Sequence, residues 1–222
     1  MVFLQAALLI VGACVVGSIP AGYLAARLLK GVDLRRYGSG TPTGSMVYEH
    51  VARWAVVPVG LFDVGKAALP TWLALHLDLG MGVATAAGLA AVAGHSWPLF
   101  LGFTGGRGLS GFLGMMAVIF PLGTVWLLGL LFVGWRLGDS TVWTLAGLAT
   151  LPAFSWIVDG PAIVPVATGA MLLLTLTKRV EANRRPLPPP GPDRRRVVAR
   201  RMLFDRDISS HRDWIRRTPD QS

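Results

Sequence analysis

Charge is scarce in this chain, and cysteine is nearly absent. Asp, Glu, Lys and Arg make up 15% of the 222 residues, against about a quarter of an average soluble domain. With 53% hydrophobic residues and a mean hydropathy of +0.54, the apolar surface exceeds what a water-soluble domain can hide, so a soluble fold is excluded. The single cysteine, Cys14, sits in an apolar run. No disulfide within the chain is possible, and Cys14 reads as a small core residue. There is no Cys/His cluster with zinc spacing. A G-x-S-x-G elbow and a Walker A pattern are also missing, which removes the common hydrolase and nucleotide-binding signatures.

Acidic residues are few, and the net charge is +9. Residues 178–222 hold 13 Lys and Arg against 6 Asp and Glu, a net of +7. Most of the basic character therefore lies in the tail. A pI near 11 invites a nucleic-acid reading. Arg clusters that directly follow an apolar core instead suit the cytoplasmic side of a membrane, facing anionic lipid. No nucleic-acid partner is expected.

Long apolar runs fill what remains. The first, about Val2 to Leu29, has no positive leader segment or small-residue cleavage pattern and reads as a retained transmembrane helix. Others cover about 55–77, 82–103, 108–135, 141–158 and 161–177. A crossing helix needs roughly 20 apolar residues. Lys30, Arg35, Arg36 and Arg53 mark loop 30–53 as cytoplasmic, Arg107 marks 104–107, and Arg136 and the tail mark two more. Parity holds only if 108–135 goes in and returns, and Phe120-Pro121-Leu122-Gly123 can break it there. The expectation is an all-α, polytopic membrane bundle of about seven segments, with the N-terminus outside and the C-terminus cytoplasmic. Loops 30–53, 104–108, 136–140 and 178–185 then converge on one face. Few charges lie at bilayer depth to couple ions, which disfavours a transporter.

The tail turns Pro-rich at Pro186–Pro192, an extended linker. Beyond it Val197, Phe204, Ile208 and Ile215 fall on a helical stripe, with polar misses at Arg201 and His211. A basic amphipathic helix on the membrane surface and a disordered solubilising tail both fit. The expected division is a transmembrane unit over 1–180 and a Pro/Arg-rich cytoplasmic tail over 181–222.

Two loops carry the chemistry. Gly38-Ser39-Gly40-Thr41-Pro42-Thr43-Gly44-Ser45 offers backbone N–H groups and hydroxyls to an anion, or is a flexible interhelical loop. Gly105-Gly106-Arg107-Gly108 precedes a helical segment, where free N–H groups and the helix dipole favour an anion. Arg107 adds a guanidinium suited to phosphate. His95, at the end of the third span, can be a base, a hydrogen-bond donor or a structural cap. Asp63 and Lys66, three apart inside an apolar run, read as a structural ion pair. No His has an Asp five positions on: His50, His76, His95 and His211 are followed there by Ala55, Met81, Phe100 and Arg216. That removes the soluble-type H-x4-D acyltransferase pattern.

Over about residues 1–185 the motifs resemble the bacterial acyl-phosphate:glycerol-3-phosphate acyltransferase family. The resemblance rests on Gly17-Ser18-Ile19-Pro20, Gly31-Val32-Asp33-Leu34-Arg35, Gly38-Ser39-Gly40, Asp63-x-x-Lys66, and Gly94-His95-Ser96-Trp97-Pro98 through Phe103-Thr104-Gly105-Gly106-Arg107-Gly108. It implies a seven-helix protein of the inner (plasma) membrane with its active site on the cytoplasmic face. It also implies acyl transfer from acyl phosphate to the sn-1 hydroxyl of glycerol 3-phosphate, giving lysophosphatidate, with no cofactor, acyl-CoA or metal. The implied catalytic residues are His95 and Arg107, the latter standing where the family has a phosphate-binding Lys. Substrate or phosphate contacts fall to Ser39, Gly40, Ser45, Gly105, Gly106, Gly108 and Ser140.

The chain also departs from the family pattern. A substrate-binding Arg is replaced by Glu49, with Arg53 one turn on as a substitute, and a family Asn falls on Met46. In the last motif, Arg179 stands for His and Ala182 for Asn, with Asn183 one step away. These changes leave an alternative open, a family member that acts on another acceptor or serves as a lipid-binding scaffold.

Overall fold

In lipid, an apolar run satisfies its backbone polar groups only by closing its hydrogen bonds within itself, so helix is the form open to these stretches. The computed structural model describes residues 2–216, apart from the side chains of Arg184, His211 and Arg212, and among the described residues it contains helices and no strand. In chain order these are α1 (Val2–Gly17), α2 (Ala21–Lys30), α3 (Gly44–His50), α4 (Val56–His76), α5 (Gly80–Ser96), α6 (Leu109–Ile119), α7 (Pro121–Leu137), α8 (Ser140–Ile157), α9 (Val164–Glu181), α10 (Pro192–Phe204) and α11 (His211–Ile215). Three stretches, Val2–Lys30, Arg53–His76 and Gly80–Leu101, are long and apolar enough to cross a membrane.

The expected break at Phe120-Pro121 is present. Phe120 leaves helical geometry at φ −156°, ψ 78°, and Pro121 opens α7, where its missing N–H costs no helical bond. The first apolar run is not the single helix its composition suggests. It breaks at Ser18–Pro20, where the Ser18 hydroxyl donates back to the Cys14 carbonyl at 2.9 Å and Pro20 offers no N–H. A second helix of ten residues, α2, then leads toward the first glycine loop.

Helices pack closely where side chains vanish. A Cβ on Gly17 would strike the Ala91 backbone, and one on Gly94 would strike the Cys14 carbonyl, so α1 and α5 touch backbone to backbone. The core joins Ala87, Ala91 and Val92 of α5, Phe112, Met115 and Met116 of α6, Leu148 and Leu151 of α8, and Ala167 and Met171 of α9. Outside it, Phe3, Leu8, Val57, Leu61, Leu69, Val125, Phe132, Trp156 and Leu173 stand exposed. A belt of large apolar side chains facing outward fits contact with hydrocarbon rather than water.

The tail overturns both readings offered for it. No continuous amphipathic stripe forms, because α10 ends at Phe204 and Asp205 turns left-handed at φ 53°. Arg201, counted as a polar miss, is 2% exposed. It donates to the carbonyls of Val180 (3.0 Å), Arg185 (3.3 Å) and Pro186 (3.2 Å) and pairs with Asp207 at 2.5 Å. In return Arg179 donates to the Met202 carbonyl at 2.9 Å at the end of α10. The tail is thus folded onto the bundle through buried guanidinium–carbonyl contacts. The side chain of His211 and residues 217–222 lie outside the described residues.

Candidate active site

The first glycine loop is built from its own hydroxyls. Ser39 and Thr41 oxygens lie 2.5 Å apart, and Thr43 and Ser45 3.2 Å apart. Upstream, Asp33 accepts from the Arg35 backbone N–H at 3.0 Å and pairs with its guanidinium at 2.6 Å. The Arg35 hydrogen bond holds the Asp33 carboxyl below the usual carboxylate range. Asn183 ties this loop to the second one, its amide donating to the Gly40 carbonyl at 2.8 Å and the Gly105 carbonyl at 3.3 Å. It therefore braces the two loops instead of lining the cavity between them.

The second loop folds back on the end of α5. The Gly106 N–H donates to the His95 carbonyl at 3.2 Å, and a Cβ on Gly106 would strike His95 Nε2. Gly108, at φ 75°, hands the chain to α6. Gly108, Leu109 and Ser110 line the pocket, which places the start of α6 on its wall.

Asp63, Lys66 and His95 form one buried group. Lys66 Nζ lies 2.8 Å from Asp63 Oδ1 and 2.8 Å from His95 Nδ1, and also donates to the Ile19 carbonyl at 3.3 Å. The expected ion pair is there, and it carries the histidine with it. Asp63 Oδ1 also lies 3.5 Å from the same His95 Nδ1. An ammonium has no acceptor, so with Lys66 donating to Nδ1 the ring N–H is the one on Nε2, beside Gly106.

These parts surround a pocket of about 680 Å³. Its lining brings together Ser39, Ser45, Asp63, His95, Arg107, Gly108, Ser140 and Arg179 from loops far apart in sequence. Thr41, Thr43 and Thr141 add hydroxyls, and Met46, Val56, Leu131, Phe204 and Ile215 add apolar wall. The convergence expected from loop charges is therefore realised. Gly40, Gly105 and Gly106 are buried and do not line the pocket.

Arg53 is a correction. It is exposed, lies over the Tyr48 ring at 5.6 Å and does not line the pocket. A bend in the chain at Val51–Ala52 ends α3 before the residue comes round. Glu49 instead accepts from Arg216 at 3.0 Å, and His50 Nε2 lies 2.7 Å from the Ile215 carbonyl.

Sequence reasoning missed Asp205. Both its carboxylate oxygens accept from Arg107 Nε, at 2.8 and 2.9 Å, and Arg107 Nη2 lies 2.7 Å from Oδ1. The remaining Arg107 nitrogen donates to the Lys178 carbonyl at 3.3 Å. Arg206 pairs with Asp139 at 3.2 Å, and Trp214 is buried against the pocket. The acidic pair Asp205 and Asp207, set either side of Arg206 in a tail of net positive charge, was the available signal.

A family model described as glycerol-3-phosphate acyltransferase matches residues 7–186. The chain belongs to this family. A relative from Dehalococcoides mccartyi, glycerol-3-phosphate acyltransferase 5, is 32% identical over 216 residues, covering 91% of this chain and 89% of its own. A glycerol-3-phosphate acyltransferase from Synechococcus sp. (strain CC9902) is 39% identical over 150 residues, 68% of this chain and 72% of its own. Among solved structures, the chain is similar to PlsY, an integral membrane glycerol 3-phosphate acyltransferase. Its glycerol 3-phosphate form matches with a TM-score of 0.72 at 28% identity, over 82% of this chain and 91% of that one. A lysophosphatidic acid form of the same protein matches with a TM-score of 0.70 at 27% identity, with the same coverage.

Proposed function

We propose that this protein is a membrane acyltransferase that moves a fatty acyl group from acyl phosphate to the sn-1 hydroxyl of glycerol 3-phosphate, giving lysophosphatidate. The site would face the cytoplasm at the inner membrane, with the C-terminus on that side and about seven segments crossing or entering the bilayer. Residues 1–180 would form the transmembrane unit, with 181–222 as its cytoplasmic tail. The observation that carries this reading is the position of Arg107. It stands in a glycine run at the head of α6, on the wall of a pocket rich in hydroxyl groups. The existence of glycerol 3-phosphate and lysophosphatidic acid forms of the similar PlsY supports the acceptor and the product.

The roles follow from chemistry. Both substrates carry phosphate, and Arg107, the N–H groups of Gly105 and Gly108 and the start of α6 suit one of them, while the Gly106 N–H is used on the His95 carbonyl and holds the loop. Ser39, Ser45 and Ser140 suit a second phosphate or the glycerol hydroxyls. His95 presents Nε2–H as a donor to phosphate or to the oxyanion that develops on the acyl carbonyl. Arg179 adds positive charge from α9, while Gly40 and Asn183 hold the two loops in register. The apolar wall receives the acyl chain.

In the reaction, the acceptor hydroxyl oxygen bonds to the acyl carbon, the bond from that carbon to the phosphate oxygen breaks, and phosphate leaves. Among the lining residues Asp63 is ion-paired with Lys66, His95 Nδ1 is engaged, and Asp205, once displaced from Arg107, is a carboxylate and so a weaker base than phosphate. The hydroxyl proton therefore passes to the departing phosphate. An acyl phosphate is already activated, so orientation and charge stabilisation supply the catalysis. Purified protein given glycerol 3-phosphate with labelled acyl phosphate, and separately with acyl-CoA, tests the donor. Product from acyl phosphate alone is expected, and product from acyl-CoA alone would overturn the donor assignment.

A further inference from the structure

The tail beyond the family-matched region reaches into the pocket. After α10 the chain reverses at Asp205, whose carboxylate covers the Nε/Nη2 edge of Arg107 with contacts of 2.7 to 2.9 Å. That edge is the one a guanidinium uses to hold a phosphate through two parallel hydrogen bonds. Two anions cannot share it, because each would lose its donors and repel the other.

The segment around Asp205 is anchored on either side. Upstream, Arg201 is locked into the turn after α9 and Arg179 caps the end of α10. Downstream, Trp214 is buried, with the Arg185 guanidinium over its ring at 4.7 Å. His50 and Glu49 then engage Ile215 and Arg216. Asp205 and Arg107 keep side-chain exposures of 21% and 13%, so an incoming anion can reach their contact.

We propose that Asp205 is an affinity-setting residue of the active site, an intramolecular competitor that a substrate phosphate must displace from Arg107. This rests on the reading that Arg107 holds phosphate. The carboxylate carries one negative charge, and a phosphate monoester carries about 1.5 to 2 near neutral pH. The substrate therefore wins the guanidinium when present, and its apparent affinity is reduced by the fraction of protein whose Arg107 is occupied. Displacement releases the 203–216 segment from Arg107, while Arg206 keeps Asp139 and Asp207 keeps Arg201 as partners.

The test uses the full-length protein and two readouts. In the first, Asp205→Asn keeps the shape and removes the charge. The KM for the phosphate substrate held by Arg107 should fall about three- to thirtyfold, with kcat changed less than twofold. KM values for glycerol 3-phosphate and for acyl phosphate, measured separately, tell which of the two that is. In the second, hydrogen exchange over residues 203–216 of the unmutated protein should quicken with glycerol 3-phosphate or inorganic phosphate and stay unchanged with glycerol. The second readout needs no turnover, so displacement without acyl transfer would sink the proposed reaction and leave this inference standing. Unchanged or raised KM values in Asp205→Asn would overturn the inference. So would protection of 203–216 by phosphate, whatever the acyl-transfer result.

Discussion

The guanidinium of Arg107 meets the carboxylate of Asp205 across 98 residues of sequence, through contacts of 2.7 to 2.9 Å. It joins the family-matched bundle to a tail that lies outside the match. The pocket is therefore a product of both, and changes in either part should register at the other.

Glu49 and Arg216 link the tail to α3 at 3.0 Å, with Arg216 64% exposed at its side chain. An exposed pair is worth about 0–1 kcal/mol. Glu49→Arg should therefore quicken exchange of the 214–216 amides by no more than about fivefold. The swap Glu49→Arg with Arg216→Glu should restore it. No recovery in the swap would mean that Glu49 acts through something other than Arg216.

Asp63 and Lys66 are buried, with side-chain exposures of 5% and 1%. Removing one partner leaves an uncompensated charge, at a cost of about 3–5 kcal/mol. Asp63→Asn and Lys66→Met should each lower the thermal midpoint in detergent strongly. The double variant should be milder than either single one. Additive losses would show that the two side chains act independently.

Gly106 presses against His95. A Cβ there meets Nε2 of a ring that Lys66 already holds from the other side. Gly106→Ala should cut kcat/KM at least tenfold, about 1.4 kcal/mol, and lower the thermal midpoint as well, since overpacking of this kind costs about 1–3 kcal/mol. Gly82→Ala, whose Cβ meets open space, is the control and should leave both unchanged.

Much of this was legible in the sequence, for local reasons. Phe120-Pro121-Leu122-Gly123 joins a proline to a nearby glycine and marks the break, whereas Pro70 and Pro152 lie inside α4 and α8 without ending them. The three-residue spacing of Asp63 and Lys66 puts them on one helix face, and the glycine run around Arg107 comes to the pocket wall just before α6. Loop charges alone placed the pocket-forming segments on one side. The tail was not legible, because its fold depends on long-range contacts that periodicity does not encode. Arg201 looks like a solvated charge until the carbonyls of Val180, Arg185 and Pro186 are brought around it. Arg53 failed for the same reason, since helical spacing from Glu49 assumes a helix that ends at His50.

The central claim is that Arg107 holds the phosphate of one of the two substrates in a reaction that gives lysophosphatidate. Its most direct test is lysophosphatidate formation from acyl phosphate and glycerol 3-phosphate by the unmutated protein and by Arg107→Ala at matched folding. The account predicts robust product from the first and a loss of at least about a hundredfold in kcat/KM in the second, about 2.7 kcal/mol of transition-state stabilisation. No product from the unmutated protein, or full activity in Arg107→Ala, would contradict it.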